Sequence, residues 1–147
     1  MQYKFGRPAA AAKLSGGREH PLIRGQVHFY QLPAGILVRV EVSGLPNNAS
    51  GFFGFHIHEG RTCDRTNFSG TGSHYTKMPT PHPRHAGDLP PLLAYHTNAY
   101  MTVITDRFSI KDIIGRTVVI HSNADDFITQ PAGNAGEKIA CGVIEKL

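Results

Sequence analysis

Tryptophan is absent from this chain, cysteine occurs only twice, and no apolar run approaches the length of a membrane span. Such a span takes about 20 consecutive apolar residues, so the pattern offers no transmembrane helix. Nowhere do three basic residues follow one another. Neither the cationic stripe nor the stacking platform expected of a nucleic-acid binder is visible. The 15 Lys and Arg against 11 Asp and Glu leave a net charge of +4, read as a solvated basic surface that would also attract a small anion. Near the N-terminus Lys4 and Arg7 are followed only by a short alanine run at 9–12, not by the apolar core of an export signal. The expected location is the cytoplasm for a full-length chain and an extracytoplasmic space for a trimmed one.

Glycine and proline, by contrast, are plentiful, at 16 and 10 of 147 residues. They imply many turns and leave little room for long helices, within a length that suits one domain over residues 1–147. Short alternations of apolar and polar residues recur between them. In 24–32, Val27 and Phe29 alternate with Gln26, His28 and Tyr30. In 36–42, Val38, Val40 and Val42 oppose Arg39 and Glu41. In 51–58, Phe53, Phe55 and Ile57 oppose Gly54, His56 and His58. Residues 98–105, 116–121 and 138–144 read similarly, and 10–14 is a weaker first strand. Six or seven short strands punctuated by Gly, Pro and Asn predict an all-β fold, an antiparallel sandwich or barrel. A long irregular stretch at 59–95 and a shorter one at 122–136 interrupt the pattern. So long a loop in a compact domain needs something to order it.

Histidine supplies a reason. His56 and His58 are two apart on a strand, so they share a face, while Phe55 and Ile57 anchor the other. His74, His82, His85 and Asp88 follow within the long loop, the last three at spacings that let one tight turn deliver them to a point. Three imidazoles and a carboxylate form a complete tetrahedral shell, the pattern of a structural zinc. His121 ends another apolar strand and could add a third imidazole to the His56–His58 pair. Imidazole nitrogen suits copper and zinc alike. His20, His28 and His96 lie outside these groups and read as surface or partly buried side chains. Cys63, in the loop after His58, and Cys141, in the last strand, fit either a disulfide or two buried thiols.

These residues carry a resemblance. The stretch Phe55-His-Ile-His-Glu-Gly60, the segment Gly72-Ser-His-Tyr75 and Arg84-His-Ala-Gly-Asp-Leu89 resemble the metal motifs of copper/zinc superoxide dismutases, bacterial members with short loops in particular. So do Ile114-Gly-Arg-Thr-Val-Val-Ile-His-Ser122 and Gly133-Asn-Ala-Gly-Glu-Lys-Ile-Ala-Cys-Gly-Val-Ile144. The resemblance implies a Greek-key β-sandwich or barrel with two long loops carrying the metals. It implies copper held by His56, His58, His74 and His121, and zinc held by His74, His82, His85 and Asp88, with His74 bridging the two. Asp125 would link His56 to His82, and Cys63 would be bonded to Cys141.

The implied activity is dismutation of superoxide to O2 and hydrogen peroxide. One superoxide gives up an electron to copper, a second receives it, and His74 carries a proton to the product. Lys138 stands where the family commonly has an arginine that receives the anion; it keeps the charge but not the planar fork of donors. The gap from His82 to His85 and the loop from His121 to Lys138 are shorter than in better-known members. A relative that only stores copper or zinc would show a missing ligand, and none is missing. A hydrolytic zinc enzyme would need an open zinc position and a base such as Glu59. Superoxide is the implied partner, with no nucleic acid or membrane expected. A homodimer and a single chain both occur in the family.

Overall fold

The computed structural model describes residues 5–147; Lys4, part of the basic stretch considered for an export signal, lies outside them. Among the described residues nine strands form one antiparallel sheet: β1 (Ala10–Gly16), β2 (Arg24–Leu32), β3 (Gly35–Ser43), β4 (Phe52–Phe53), β5 (Phe55–His58), β6 (Leu92–Tyr95), β7 (Asn98–Thr105), β8 (Thr117–His121) and β9 (Lys138–Lys146). Their spatial order is β4-β6-β7-β3-β2-β1-β9-β8-β5. The two edge strands, β4 and β5, are joined through Gly54 alone, so the sheet curls into an almost closed barrel. No helix among the described residues is long and apolar enough to cross a membrane.

Alternation explains the walls. Val38, Val40 and Val42 of β3 point inward with Val27 and Phe29 of β2 and Leu14 of β1, all nearly inaccessible to solvent. Fully buried Phe53, Phe55, Ile57, Ile113 and Ile120 fill the rest of the barrel. Tyr30 departs from its polar reading: it is buried on the outer face, in a second small cluster with Leu32 and Leu37.

Two expectations need correction. The stretch 51–58 is not one strand. It changes partner at Gly54, with β4 pairing to β6 and β5 to β8. The backbone at Gly54 passes so close to Ala135, His121 and Asn123 that a side chain there would collide with Ala135. Its N–H donates to Asn123 O and its carbonyl accepts from His121 N, both at 2.8 Å. Secondly, the stretch 59–95 is not all loop, because Leu92–Tyr95 is β6 and Ser69–Thr71 is a single 3-10 turn. A four-residue helix α1 (Ile110–Ile113) precedes β8, consistent with the expected lack of long helices. At its start Ser109 N–H donates to Asp112 Oδ2 at 2.8 Å, the carboxylate arm of a capping box.

Cys63 and Cys141 are joined by a disulfide across 78 residues of chain. The bond ties the segment after β5 to β9, beside buried Phe68 and Val119. Cys141→Ser is expected to lower stability by roughly 2–5 kcal/mol, the usual cost of losing a native disulfide. Denaturant unfolding of the metal-free protein checks this. An unchanged midpoint would show that the bond contributes nothing to the folded state.

Candidate metal centre

The β5 strand is buried on both faces, which alternation alone does not suggest. Phe55 and Ile57 enter the barrel, while His56 and His58, no more than 2% exposed, lie beneath the long loop. His56 stands opposite Val119 on β8. His121 lies two residues further along, on that same face, where the β8–β9 register shifts between Ile120 and His121. Such an irregularity re-aims the side chain beside it.

The free edge of β5 receives the loop directly. His58 bridges to His74 and His56 to Asp88 in the manner of strand neighbours. Ile57 N–H donates to Gly87 O at 2.9 Å, and Tyr75 N–H donates to Ile57 O at 2.8 Å. Gly87 has to be glycine, since a Cβ there would collide with Ile57 O. Backbone pairing along one strand edge therefore delivers His74 and Asp88 beside His56 and His58.

Two groups of four donors result, each with its ligand atoms within 4.8 Å of one another: His56, His58, His74 and His121, and His74, His82, His85 and Asp88. His74 belongs to both. The hydrogen bonds decide which ring nitrogens are free, because a nitrogen that donates to oxygen carries the proton. His58 Nδ1 donates to Gly72 O at 2.9 Å and His121 Nδ1 donates to Gly136 O at 3.3 Å. Each thereby turns an unprotonated Nε2 toward the other, 3.1 Å away. Two facing lone pairs repel unless a cation lies between them. His56 Nε2 and His82 Nε2 donate to the two oxygens of Asp125, each at 2.8 Å, which leaves both Nδ1 atoms free.

The buried nitrogens His56 Nδ1, His74 Nε2, His82 Nδ1 and His85 Nδ1 make no hydrogen bond. Buried polar atoms are rarely left unpaired. Around Asp88 the donors already crowd together: His74 Nδ1 is 2.7 Å from Oδ1, and His82 Nδ1 and His85 Nδ1 are 3.0 and 3.2 Å from Oδ2. Zinc bonds of about 2.0 Å arranged tetrahedrally would set such donors about 3.3 Å apart. The residues fit one metal at each group: an all-nitrogen set for copper, and three imidazoles with a carboxylate for zinc.

Electrostatics favour metal over protons. Burial lowers the His56 and His58 pKa values and takes that of His121 down to about 3, so these rings stay neutral and keep a lone pair to offer. For Asp125, burial pushes the carboxyl up, but hydrogen bonds from His56, His82 and the Phe127 N–H outweigh it and hold the group well below the usual range. Asp88 is likewise pushed up by burial and brought below its ordinary value chiefly by its bond with His74. Gly133, with φ +71°, leaves the space Asp125 occupies; a Cβ there would collide with Oδ1.

Lys138 pairs in backbone register with His121. Its Nζ donates to Thr71 Oγ1 at 2.7 Å and Gly72 O at 3.0 Å, the carbonyl that also accepts from His58. One cation thus perches at the edge of the first donor group, and burial lowers its pKa. The part played by Thr71 and the Gly72 carbonyl escaped the sequence reading, although Gly72 opens one of the quoted motifs. A carbonyl is common to every residue, so only its placement reveals its use. His20 and His28 are half-buried, His96 is exposed, and all three stand apart from the donor groups. Glu59 is exposed and its Oε1 accepts from Ser73 N at 3.5 Å.

Residues 23–144 match the family model described as copper/zinc superoxide dismutase. The chain is 34% identical over 139 residues to a superoxide dismutase [Cu-Zn] of Aquifex aeolicus, an alignment covering 82% of this chain and 79% of that one. It is 31% identical to the superoxide dismutase [Cu-Zn] of Caulobacter vibrioides, covering 92% and 84%. Among solved structures, it resembles a double mutant of a superoxide dismutase-like protein from Bacillus subtilis. There the TM-score is 0.80 at 28% identity, covering 90% of this chain and 95% of that one.

Proposed function

The chain belongs to the copper/zinc superoxide dismutase family, and from that premise we propose that it converts superoxide to O2 and hydrogen peroxide at the two donor groups. Copper goes to His56, His58, His74 and His121, and zinc to His74, His82, His85 and Asp88. The observation that carries this assignment is the sharing of His74 between two complete sets, with His56 Nδ1, His74 Nε2, His82 Nδ1 and His85 Nδ1 left without a hydrogen-bond partner. When bound, copper supplies the one-electron couple that balances two superoxides and two protons against one O2 and one H2O2, and zinc supplies a fixed positive charge.

The chain's own residues orient and supply protons. His74 presents Nε2 to the first group and Nδ1 to the second. Nε2, when free, can hold a proton beside the outgoing product. Asp125 fixes the tautomers of His56 and His82 from opposite sides, so the two groups keep a constant relation. Lys138 offers the positive charge nearest the first group, to which an incoming anion is drawn. The filled zinc set leaves no open position for a hydrolytic water, and no copper ligand is missing, as a merely metal-storing relative would require.

The test is superoxide decay with purified protein, first loaded with zinc alone and then reconstituted with copper, alongside metal stoichiometry. Copper-dependent decay approaching the diffusional ceiling of about 10⁸–10⁹ M⁻¹s⁻¹, for which superoxide dismutases are a standard example, is expected with one copper and one zinc per chain. Full occupancy without decay would overturn the catalytic reading.

A further inference from the structure

We propose that Gln130 and Arg107 are positioning residues for the zinc site, clamping the backbone of residues 82–88 in its metal-ready shape. The proposal rests on the zinc assignment above. Those seven residues supply three of the four zinc donors, yet none lies in a regular strand or helix. The backbone pairing with β5 reaches only Gly87 and Asp88, so something else has to hold the His82–His85 end.

Gln130 meets His82 as a neighbouring strand would. Its Oε1 accepts from His82 N–H at 2.8 Å and its Nε2 donates to His82 O at 2.7 Å, so one side-chain amide satisfies both backbone groups. A further bond from Nε2 to Ile128 O at 3.1 Å orients the amide. Asp125, five residues earlier on the same loop, already grips the ring of His82. The loop therefore holds this ligand at imidazole and backbone together, leaving little freedom in where Nδ1 points.

Arg107 holds the rest of the turn. Its Nη1 donates to Pro83 O at 2.7 Å and lies within 3.3 Å of His85 O and 3.4 Å of Asp88 O. Carbonyls drawn together by a tight turn repel one another, and one guanidinium nitrogen facing all three offsets that repulsion. Between them the two side chains fasten His82, Pro83, His85 and Asp88. Without them the ordering of the turn would fall on zinc binding itself, and affinity would drop.

Chelator competition on the metal-free protein gives the zinc dissociation constant. Gln130→Ala and Arg107→Ala are each expected to raise it about tenfold, the lower end of what losing an outer partner of a ligand costs. Gln130→Glu keeps the acceptor but loses the donor and should match the alanine variant. Arg107→Lys keeps the charge but not the fork and should recover only part of the loss. Cobalt in place of zinc adds a spectroscopic reading: the tetrahedral visible bands of the wild type should broaden and weaken in the alanine variants. A purely structural role would lower the unfolding temperature yet leave the dissociation constant and cobalt spectrum unchanged, and that result would overturn the proposal. Should an alanine variant fail to fold without metal, the Glu and Lys variants decide by the same criteria. Failure of the wild type to bind one zinc through His82 and Asp88 would instead overturn the zinc assignment.

Discussion

Replacing His121 with alanine is expected to abolish superoxide dismutation and copper binding while zinc stays bound and the barrel stays folded. His121 belongs to the first donor group alone. Its ring touches no zinc donor by hydrogen bond: Nδ1 is taken up by Gly136 O and Nε2 faces His58. Removing it leaves three nitrogens for copper, and affinity should fall by at least about 100-fold, the upper end of the cost of losing even an outer partner. The bonds from His56 and His82 to Asp125 are untouched, so the tautomers on the zinc side persist. The backbone bond from His121 N to Gly54 O survives the substitution and keeps β8 joined to the β4–β5 corner. His85→Ala should behave in the opposite sense, losing zinc while the copper set remains complete. Metal analysis of both variants beside their superoxide decay separates the two sites. Decay at the wild-type rate in the His121 variant would contradict the copper assignment.

The walls of the barrel were legible because alternation reports which face of a strand is dry. Residues 24–32 and 98–105 were read to their observed limits. Alternation says nothing about partners, however, and so 51–58 read as a single strand. Period-two patterning continues smoothly across Gly54 even though the hydrogen-bonding neighbour changes there from β6 to β8. Four-residue β6 was concealed by the two prolines before it and by the loop composition of everything upstream. The helix α1, only four residues long, is too short to show a period.

At the candidate metal centre, the grouping of these histidines with Asp88 was legible because such residues at those spacings have few other reasons to converge. The mechanism of their convergence was not. The loop reaches the ligands of β5 through Gly87 and Tyr75 backbone groups that pair with Ile57, and main-chain atoms carry no signature in sequence. Gln130 and Arg107 were equally hidden, for a different reason. Both are exposed, and a surface glutamine or arginine reads the same whether its side chain meets water or a turn of backbone.

Lys138→Glu is expected to slow the reaction steeply without removing either metal. Superoxide is an anion, and Lys138 is the cation whose ammonium shares the Gly72 carbonyl with His58 of the first donor group. Reversing that charge converts attraction into repulsion at the last stage of approach. Charge lining a recess changes association rates by about 10- to 1,000-fold, so a fall of about tenfold or more is expected at low ionic strength. The deficit should shrink as salt is added, because the Debye length is only about 8 Å at physiological ionic strength. A carboxylate would also face the Gly72 carbonyl and lose the bonds to Thr71 and Gly72, so Lys138→Gln serves as the neutral control and should fall between the two. Lys138→Arg should hold or raise the rate, since it keeps the charge and adds a planar fork of donors. Lys146, at the far end of β9 from Lys138, provides the comparison for net charge: Lys146→Glu changes the total equally and should leave the rate nearly as it was. An unchanged rate in the Lys138→Glu variant at full metal occupancy would remove Lys138 from the mechanism. A salt-independent loss would assign it a role in holding Gly72 and His58 rather than in drawing the anion in.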